Sequence, residues 1–424
     1  MRVALLSLHT SPLAPLGGKD TGGMNVFVRE TARELGRRGI PTDVFTRSTG
    51  THALRIDPRL GENVRVIHVP AGPEAPLPKT ELHQYVPDFA DWVAGFAADQ
   101  PPYTVIHAHY WLSGLAAERL RARCGTPFVI TFHTLAALKN QIAERPEDRE
   151  SELRLRGECH LCDCADRITA NTAVEKTQLV RLYGAGSSRI RIVPPGVDPA
   201  QFHPIAQSYA KALVGIPADH RVLLFVGRIE RLKGIDILLK AAALLRDRRS
   251  DLSWDKLRII VIGGDPSEEG RRKNEEMARL HALRDALSLG DLVTFVGALD
   301  QDALAFYYAA AEMVIMPSHY ESFGMVALEA MACGTPVVVS DVGGLSVLVQ
   351  HNKTGLRVRA NDPAALAQAI ERLLDDEALR RRLGQRAVCY AEAYAWSNVV
   401  DRLLNVYAEI ARPIPAGTPS SQHR

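Results

Sequence analysis

Short apolar runs recur along the chain, each followed by a turn and then by a longer stretch with helical spacing of its apolar residues. VALLSLH (3–9), DVFTR (43–47), VRVIHVP (64–70), TVIHAHY (104–110), FVITFHT (128–134), RITANT (167–172) and RIRIVPPG (189–196) form a first series. Pro194-Pro195-Gly196-Val197-Asp198-Pro199 interrupts the rhythm and reads as a linker. A second series follows: RVLLFVG (221–227), LRIIVIGG (257–264), LVTFVG (292–297), MVIMPS (313–318) and TPVVVSD (335–341). Strand-length runs that are apolar throughout, alternating with helices, describe parallel strands covered on both faces. The expected fold is α/β, with two Rossmann-like doubly wound domains facing a central cleft. Residues 1–197 form the first expected domain and 198–396 the second. An amphipathic helix at about 397–411 is expected to pack back on the first domain, and the Pro/Ser-rich residues 412–424 to be disordered.

The stretch SHYESFGMVALEAMACG (318–334) carries the most chemistry. Glu321 lies in a turn after an apolar strand, Phe323-Gly324-Met325 opens a helix, and Glu329 follows eight residues after Glu321. A strand, a Gly-bearing turn and a helix start present free backbone N–H groups, which suit a phosphate. Ionised carboxylates only accept hydrogen bonds, so the two glutamates suit hydroxyl groups. A diphosphate with hydroxyls on both sides describes a nucleotide sugar. The plainer reading is an ordinary α/β turn with two solvated glutamates.

In the same series, Gly227-Arg228-Ile229-Glu230-Arg231-Leu232-Lys233-Gly234 leaves the carboxyl end of a strand. Arg228 and Lys233 there can neutralise a diphosphate leaving group; standing alone they would be two surface cations beside a turn. In the first series, Asp20-Thr21-Gly22-Gly23-Met24-Asn25 opens a helix, and its glycines let a ligand approach the backbone. His109-Tyr110-Trp111 and His133-Thr134 end two expected strands at the cleft. Lys79 and Arg154 are candidate cations that the sequence does not place. Asp300-Gln301-Asp302 is read as a helix N-cap rather than a metal-nucleotide motif. Cys159-His160-Leu161-Cys162-Asp163-Cys164 lies in a helical pattern without a second ligand pair, and is read as reduced, partly buried thiols rather than zinc.

Composition narrows the partners. The 424 residues are 46% hydrophobic and 24% charged with a net charge of +2, which gives no electrostatic case for nucleic acid or an anionic membrane surface. The first apolar run is too short for a signal-peptide core, and no run is long enough to span a bilayer. The expectation is a cytoplasmic protein without membrane insertion. A homodimer stays open.

Together these runs resemble the retaining nucleotide-sugar glycosyltransferases of family four, which have the GT-B fold. The resemblance covers nearly the whole chain. It rests on GGMNVFVRETARELGRRG (22–39), the VGRIERLKG run (226–234) and the ESFGMVALEA run (321–330), in that order. LHTSPL (8–13), HAHYWLSG (107–114), FHTLAALKN (132–140) and ESELR (150–154) look like the subgroup that glycosylates D-inositol 3-phosphate for mycothiol biosynthesis. The sister group is sucrose-phosphate synthase, whose signature usually has Pro where Ser322 stands.

The resemblance implies a catalytic set of His133, Arg228, Lys233 and Glu321. It implies donor contacts from Gly23, Arg228, Lys233, Glu321, Phe323, Gly324, Met325, Val326 and Glu329, with Glu329 on the ribose. Asn25, Lys79, Tyr110, Thr134 and Arg154 match positions that grip a phosphorylated polyol. The co-substrate is then a UDP-sugar or ADP-sugar. No cofactor is required for the chemistry and no divalent metal is implied. The acceptor is inositol phosphate or, alternatively, fructose 6-phosphate; an epimerase or a non-catalytic sugar-binding protein on the same fold is more remote.

Overall fold

The computed structural model describes residues 1–15, 21–50, 54–143, 145–265 and 274–411. Asp20 of the glycine-rich loop and the 412–424 tail, for which disorder was expected, lie outside them.

The first series forms one eight-stranded sheet. Its strands are β1 (Val3–Leu6), β2 (Thr42–Arg47), β3 (Ile56–Asp57), β4 (Val64–Val69), β5 (Val105–His109), β6 (Phe128–Thr131), β7 (Arg167–Ala170) and β8 (Ile190–Ile192), in the order β3-β4-β2-β1-β5-β6-β7-β8. All pairs are parallel except β3 with β4. The chain builds outward from β1 through β2 to β4, then returns to place β5 on the other side of β1. A crevice opens at such a reversal, beyond the strand carboxyl ends. The loop after β1 and Tyr110 after β5 therefore meet there.

The second series repeats the device. Strands β9 (Arg221–Val226), β10 (Leu257–Ile262), β11 (Val293–Gly297), β12 (Met313–Met316), β13 (Val337–Ser340) and β14 (Gly355–Val358) are all parallel, in the order β11-β10-β9-β12-β13-β14. The reversal falls between β9 and β12. The Arg228–Lys233 loop leaves β9 and the Glu321 turn leaves β12, so both motifs come to one crevice.

Two edge strands, β3 and β14, were not anticipated. The first is only two residues long, and the second follows the polar turn His351-Asn352-Lys353-Thr354. Asp300 does stand at the N-cap of the helix Gln301–Ala310, but its side chain makes no capping hydrogen bond. Asp302 instead accepts a hydrogen bond from Gln201 Nε2 at 2.8 Å.

The helix Trp396–Ile410 crosses back to the first sheet. Trp396, Val399, Val400, Leu403 and Tyr407 share a buried cluster with Val3, Leu5, Phe27 and Val129. At the crossing, Val197 N–H donates to the Tyr394 carbonyl at 2.9 Å, and Val197 bridges Ala395. Gly196 lies so close to Trp396 that a β-carbon there would sit 2.7 Å from the indole. Among the described residues no helix is long and apolar enough to cross a membrane.

Candidate active site

A cavity of about 1600 Å³ lies between the carboxyl ends of the two sheets. All fifteen expected site residues line it: Gly23, Asn25, Lys79, Tyr110, His133, Thr134 and Arg154 from the first half, and Arg228, Lys233, Glu321, Phe323, Gly324, Met325, Val326 and Glu329 from the second.

On the second half, the loop after β9 turns through Arg231–Lys233 to Gly234, which has φ 64°. A β-carbon on Gly234 would stand 2.1 Å from the Pro317 carbonyl oxygen. His319 N–H donates to the Leu232 carbonyl at 2.9 Å, which ties this loop to the β12 turn. The result is a close pair: Lys233 Nζ lies 2.5 Å from Glu321 Oε2. Arg228 pairs with Glu230 at 2.8 Å. Gly324, with φ 105°, begins the helix Met325–Ala332, and no side chain caps it. Its first N–H groups are thus left for a ligand, and the helix dipole favours an anion there. A β-carbon on Gly324 would meet Leu345 at 2.4 Å, so only glycine fits the turn.

Glu329 lies one helical turn deeper. Its carboxylate accepts from Tyr308 Oη at 2.7 Å and Gln301 Nε2 at 3.3 Å. Burial pushes its pKa up to about 7, against the pull of these two donors. Gln301 in turn receives a hydrogen bond from Arg29 of the first half.

At the cleft of the first half, two non-glycine residues that line the cavity have positive φ: Tyr110 with φ 76° and His133 with φ 62°. Such conformations cost of order 1–3 kcal/mol and persist where the surroundings over-determine them. Tyr110 follows β5 at the reversal, and His133 follows the neighbouring β6. His133 Nε2 lies 3.0 Å from His109 Nδ1, and the Phe27 ring meets His133 edge-on. Beneath them His107 hydrogen-bonds Thr131 and Tyr407, each at 2.7 Å. Burial holds His133 at about 3, although part of the ring faces the cavity. The imidazole is therefore neutral near pH 7 and acts as a hydrogen-bonding group, not a cation.

Arg154 is 2% exposed. Its Nε meets Glu158 at 2.7 Å, Nη1 meets Glu150 at 2.8 Å, and Nη2 donates to the Thr134 carbonyl and hydroxyl at 2.8 and 3.0 Å. Burial opposes the charge, but Glu158 and Glu150 outweigh it and raise the pKa. The guanidinium sits 4.7 Å from the centre of the Tyr110 ring, and Lys79 Nζ 5.7 Å from it. Lys139 pairs with Glu150. Arg154, Lys79 and Lys139 thus gather on one wall of the cavity, with the carboxylates Glu150 and Glu158 beside them.

Asn25 lines the cavity, yet its amide is turned to the loop. Nδ2 donates to Thr10 Oγ1 and the Ser11 carbonyl, both at 2.8 Å, and Oδ1 accepts from Gly22 N–H at 3.0 Å. Gly23 faces the other half directly: a β-carbon there would lie 3.0 Å from Met325 Sδ.

Sequence reasoning placed His109 at its strand end, and it lies under His133; it missed Gln301 and Tyr308 around Glu329, and Glu150 and Glu158 around Arg154. Glu150 lay inside a quoted motif, and Gln301 inside the Asp300-Gln301-Asp302 run, which was read as a helix N-cap. Nothing along the chain tied Gln301 or Tyr308 to Glu329, because their neighbourhood with it exists only once two helices pack.

Comparison with known proteins identifies the family. Residues 21–201 match the family described as Glycosyltransferase Family 4, and residues 210–388 that described as Glycosyl transferases group 1. D-inositol 3-phosphate glycosyltransferase of Acidothermus cellulolyticus is 45% identical over 96% of this chain and 90% of its own length. The enzyme of that name from Thermomonospora curvata is 42% identical over 96% and 95%. Among solved structures, sucrose-phosphate synthase of Thermosynechococcus elongatus superposes with a TM-score of 0.86 at 35% identity, over 96% of this chain and 98% of its own. Anabaena HepE in complex with UDP-glucose shares the fold, with a TM-score of 0.74 at 20% identity over 96% and 100%. With full-length relatives above 40% identical and both halves matched, the chain belongs to the glycosyltransferases of family four, on the GT-B fold.

Proposed function

We propose that this glycosyltransferase moves a sugar from a UDP-sugar, with retention, to a phosphorylated inositol. The observation that carries this reading is the clustering of Arg154, Lys79, Tyr110 and Thr134 on one wall of the cavity that also holds the Lys233–Glu321 pair. Arginine and lysine side chains grouped with hydroxyl donors suit a phosphate. The names of the relatives at 42–45% identity point to D-inositol 3-phosphate. In this reading residues 1–197 hold the acceptor and 198–396 the donor, in the cytoplasm. ADP-sugar is the alternative donor.

The roles follow from charge. Arg228 and Lys233 take the donor diphosphate, together with the N–H groups at the start of the helix Met325–Ala332. Glu321, released from Lys233 as the phosphate arrives, accepts from the sugar hydroxyls, and Glu329 accepts from the ribose. Arg154, Lys79, Thr134 and Tyr110 hold the acceptor phosphate, while Asn25 shapes the loop beside it. His133, neutral and fixed by His109, hydrogen-bonds the transferred sugar. The acceptor hydroxyl attacks on the face the diphosphate leaves, and a donor phosphate oxygen takes its proton. Catalysis is then positioning plus stabilisation of the departing charge.

The second reading, transfer of glucose to fructose 6-phosphate, draws on the structural likeness to sucrose-phosphate synthase. UDP-, ADP- and GDP-sugars assayed against inositol 3-phosphate, inositol, fructose 6-phosphate and fructose separate the two. The expected result is turnover with inositol 3-phosphate and a UDP-sugar, and little with unphosphorylated inositol. Equal rates with and without the phosphate would overturn the acceptor assignment.

A further inference from the structure

The Cys159–Cys164 stretch has no part in the chemistry above, yet the fold gives it a partner that the sequence did not reveal. It ends the helix Glu152–Cys164, which runs alongside the helix Trp111–Cys124. Two glycines set the helices close. A β-carbon on Gly114 would stand 2.6 Å from Leu161, and one on Gly157 would stand 2.8 Å from the Trp111 ring. Four residues after Gly114 comes Glu118; three and seven after Gly157 come His160 and Cys164. Helical neighbours at those spacings share a face. The glycine contact therefore aims one carboxylate, one imidazole and one thiol at the same point.

The ligand-type atoms of Glu118, His160 and Cys164 all lie within 4.8 Å of one another. His160 Nε2 is 2.8 Å from Glu118 Oε1, and the Cys164 thiol also hydrogen-bonds Glu118. Arg121, on the same helix as Glu118, is turned to the Cys164 carbonyl at 2.5 Å and to Asp166 at 3.4 Å. We propose that Glu118, His160 and Cys164 form a binding site for a thiophilic divalent cation of the zinc class, with water as the fourth ligand.

The donor set fits that class. Zinc takes nitrogen, oxygen and sulfur at about 2.0 to 2.3 Å, which puts its tetrahedral ligands roughly 3.5 Å apart. Rotamer adjustment of two side chains on the helix surface closes the present spacing to that value. Magnesium and calcium prefer all-oxygen sets and would be poor competitors. Both bonds that now join the three side chains are donor–acceptor pairs to one carboxylate, and a cation replaces them with three bonds to itself. The thiol proton leaves as the sulfur binds.

The site is separate from the sugar-transfer cavity. Cys164 lies ten residues along the helix from Arg154, roughly 15 Å at the α-helical rise. A cation there would pin together the two helices whose first turns follow Tyr110 and carry Arg154. Its role is to brace the acceptor pocket, not to enter the reaction.

The test is a Co2+ titration of the metal-free, reduced full chain. The expected result is one equivalent bound, with a thiolate-to-metal charge-transfer band, d–d bands of tetrahedral intensity, displacement by Zn2+ and release of a proton. Cys164→Ser should abolish the charge-transfer band. His160→Ala and Glu118→Gln should each weaken binding at least tenfold. Cys159→Ser, one residue outside the set, should leave the spectrum unchanged. Circular dichroism and unfolding midpoints verify that each variant folds, and Cys164→Ala replaces Cys164→Ser if the serine variant does not. Absence of a charge-transfer band in wild type overturns the proposal. So does a band that survives loss of Cys164 or vanishes with Cys159, since the cysteines would then bind without Glu118 and His160.

Discussion

Glu329 is where a single ionisation should be visible in binding. Burial raises its pKa from the usual 4.5 to about 7, against the hydrogen bonds from Tyr308 and Gln301 that lower it. The neutral form is therefore favoured below about 7, and the group's contribution to stability is full below 4.5 and lost as pH rises through 7. Ribose hydroxyls donate to a carboxylate, so donor binding selects the ionised form. Affinity for a nucleotide sugar should accordingly fall as pH drops below 7, by up to about tenfold per unit. The diphosphate, esterified at both ends, keeps its charge across this range. Calorimetric Kd values from about pH 5.5 to 8 check this, and Glu329→Gln should be weak and flat with pH. A wild-type Kd independent of pH would separate Glu329 from the ribose. At the same scale, Arg228→Ala and Lys233→Ala should each lower kcat by about 10²-fold or more while the protein stays folded. Near-normal turnover in both would remove them from the donor site.

At the level of elements, the site depends on turns brought closer than any side chain would permit. Gly234 rests on the Pro317 carbonyl, and the Leu232–His319 hydrogen bond joins the loops that carry Lys233 and Glu321. In Gly234→Ala, the β-carbon must push the loops apart. The expected cost is on the order of 1–3 kcal/mol of stability, together with weaker nucleotide-sugar binding, because Lys233 and Glu321 separate. Thermal unfolding and calorimetry measure the two effects, and unchanged values in both would mean that the loops adjust freely. The histidine ladder works differently. His107, His109 and His133 pack ring on ring with Tyr407 of the last helix below. The helix Trp396–Ile410 thus supports the first half's cleft residues, although it follows the whole second half in the chain.

Across the whole molecule, the two halves touch through Gly23 and Met325, Arg29 and Gln301, and Arg145 and Glu275, the last pair 3.4 Å apart. Arg145 and Glu275 are 34% and 76% exposed, and an exposed pair of this kind holds weakly. The chain crosses between halves twice, near Val197 and near Tyr394, and the two crossings hydrogen-bond to each other. Such a double strand is a place for rotation, since both crossings lie side by side there, although Val197 and Trp396 are buried and must shift with it. We expect the halves to close on the donor about this point, as lid and hinge steps commonly complete a site that neither half can dry alone. Small-angle scattering should give a smaller radius of gyration with UDP-sugar than without. An unchanged radius, with the same crystal form in both states, would mean a rigid preformed site.

Much of this was legible along the chain. Apolar runs of strand length, with motif residues at their carboxyl ends, determined two parallel sheets and put Arg228, Lys233, Glu321, Tyr110 and His133 at strand ends. Local pattern suffices there, because a strand buried on both faces must be apolar and a ligand-binding turn must follow it. The edge strands β3 and β14 were not legible, since a short edge needs little apolar surface. Lys79 and Arg154 could be named but not placed; only packing of the helices around β5 and β6 turns them onto Tyr110. The meeting of Lys233 with Glu321, of His109 with His133, and of Glu118 with His160 and Cys164 was decided by tertiary structure alone. Those contacts join residues far apart in sequence, and their distances are set by how closely backbones pack, which no local periodicity encodes.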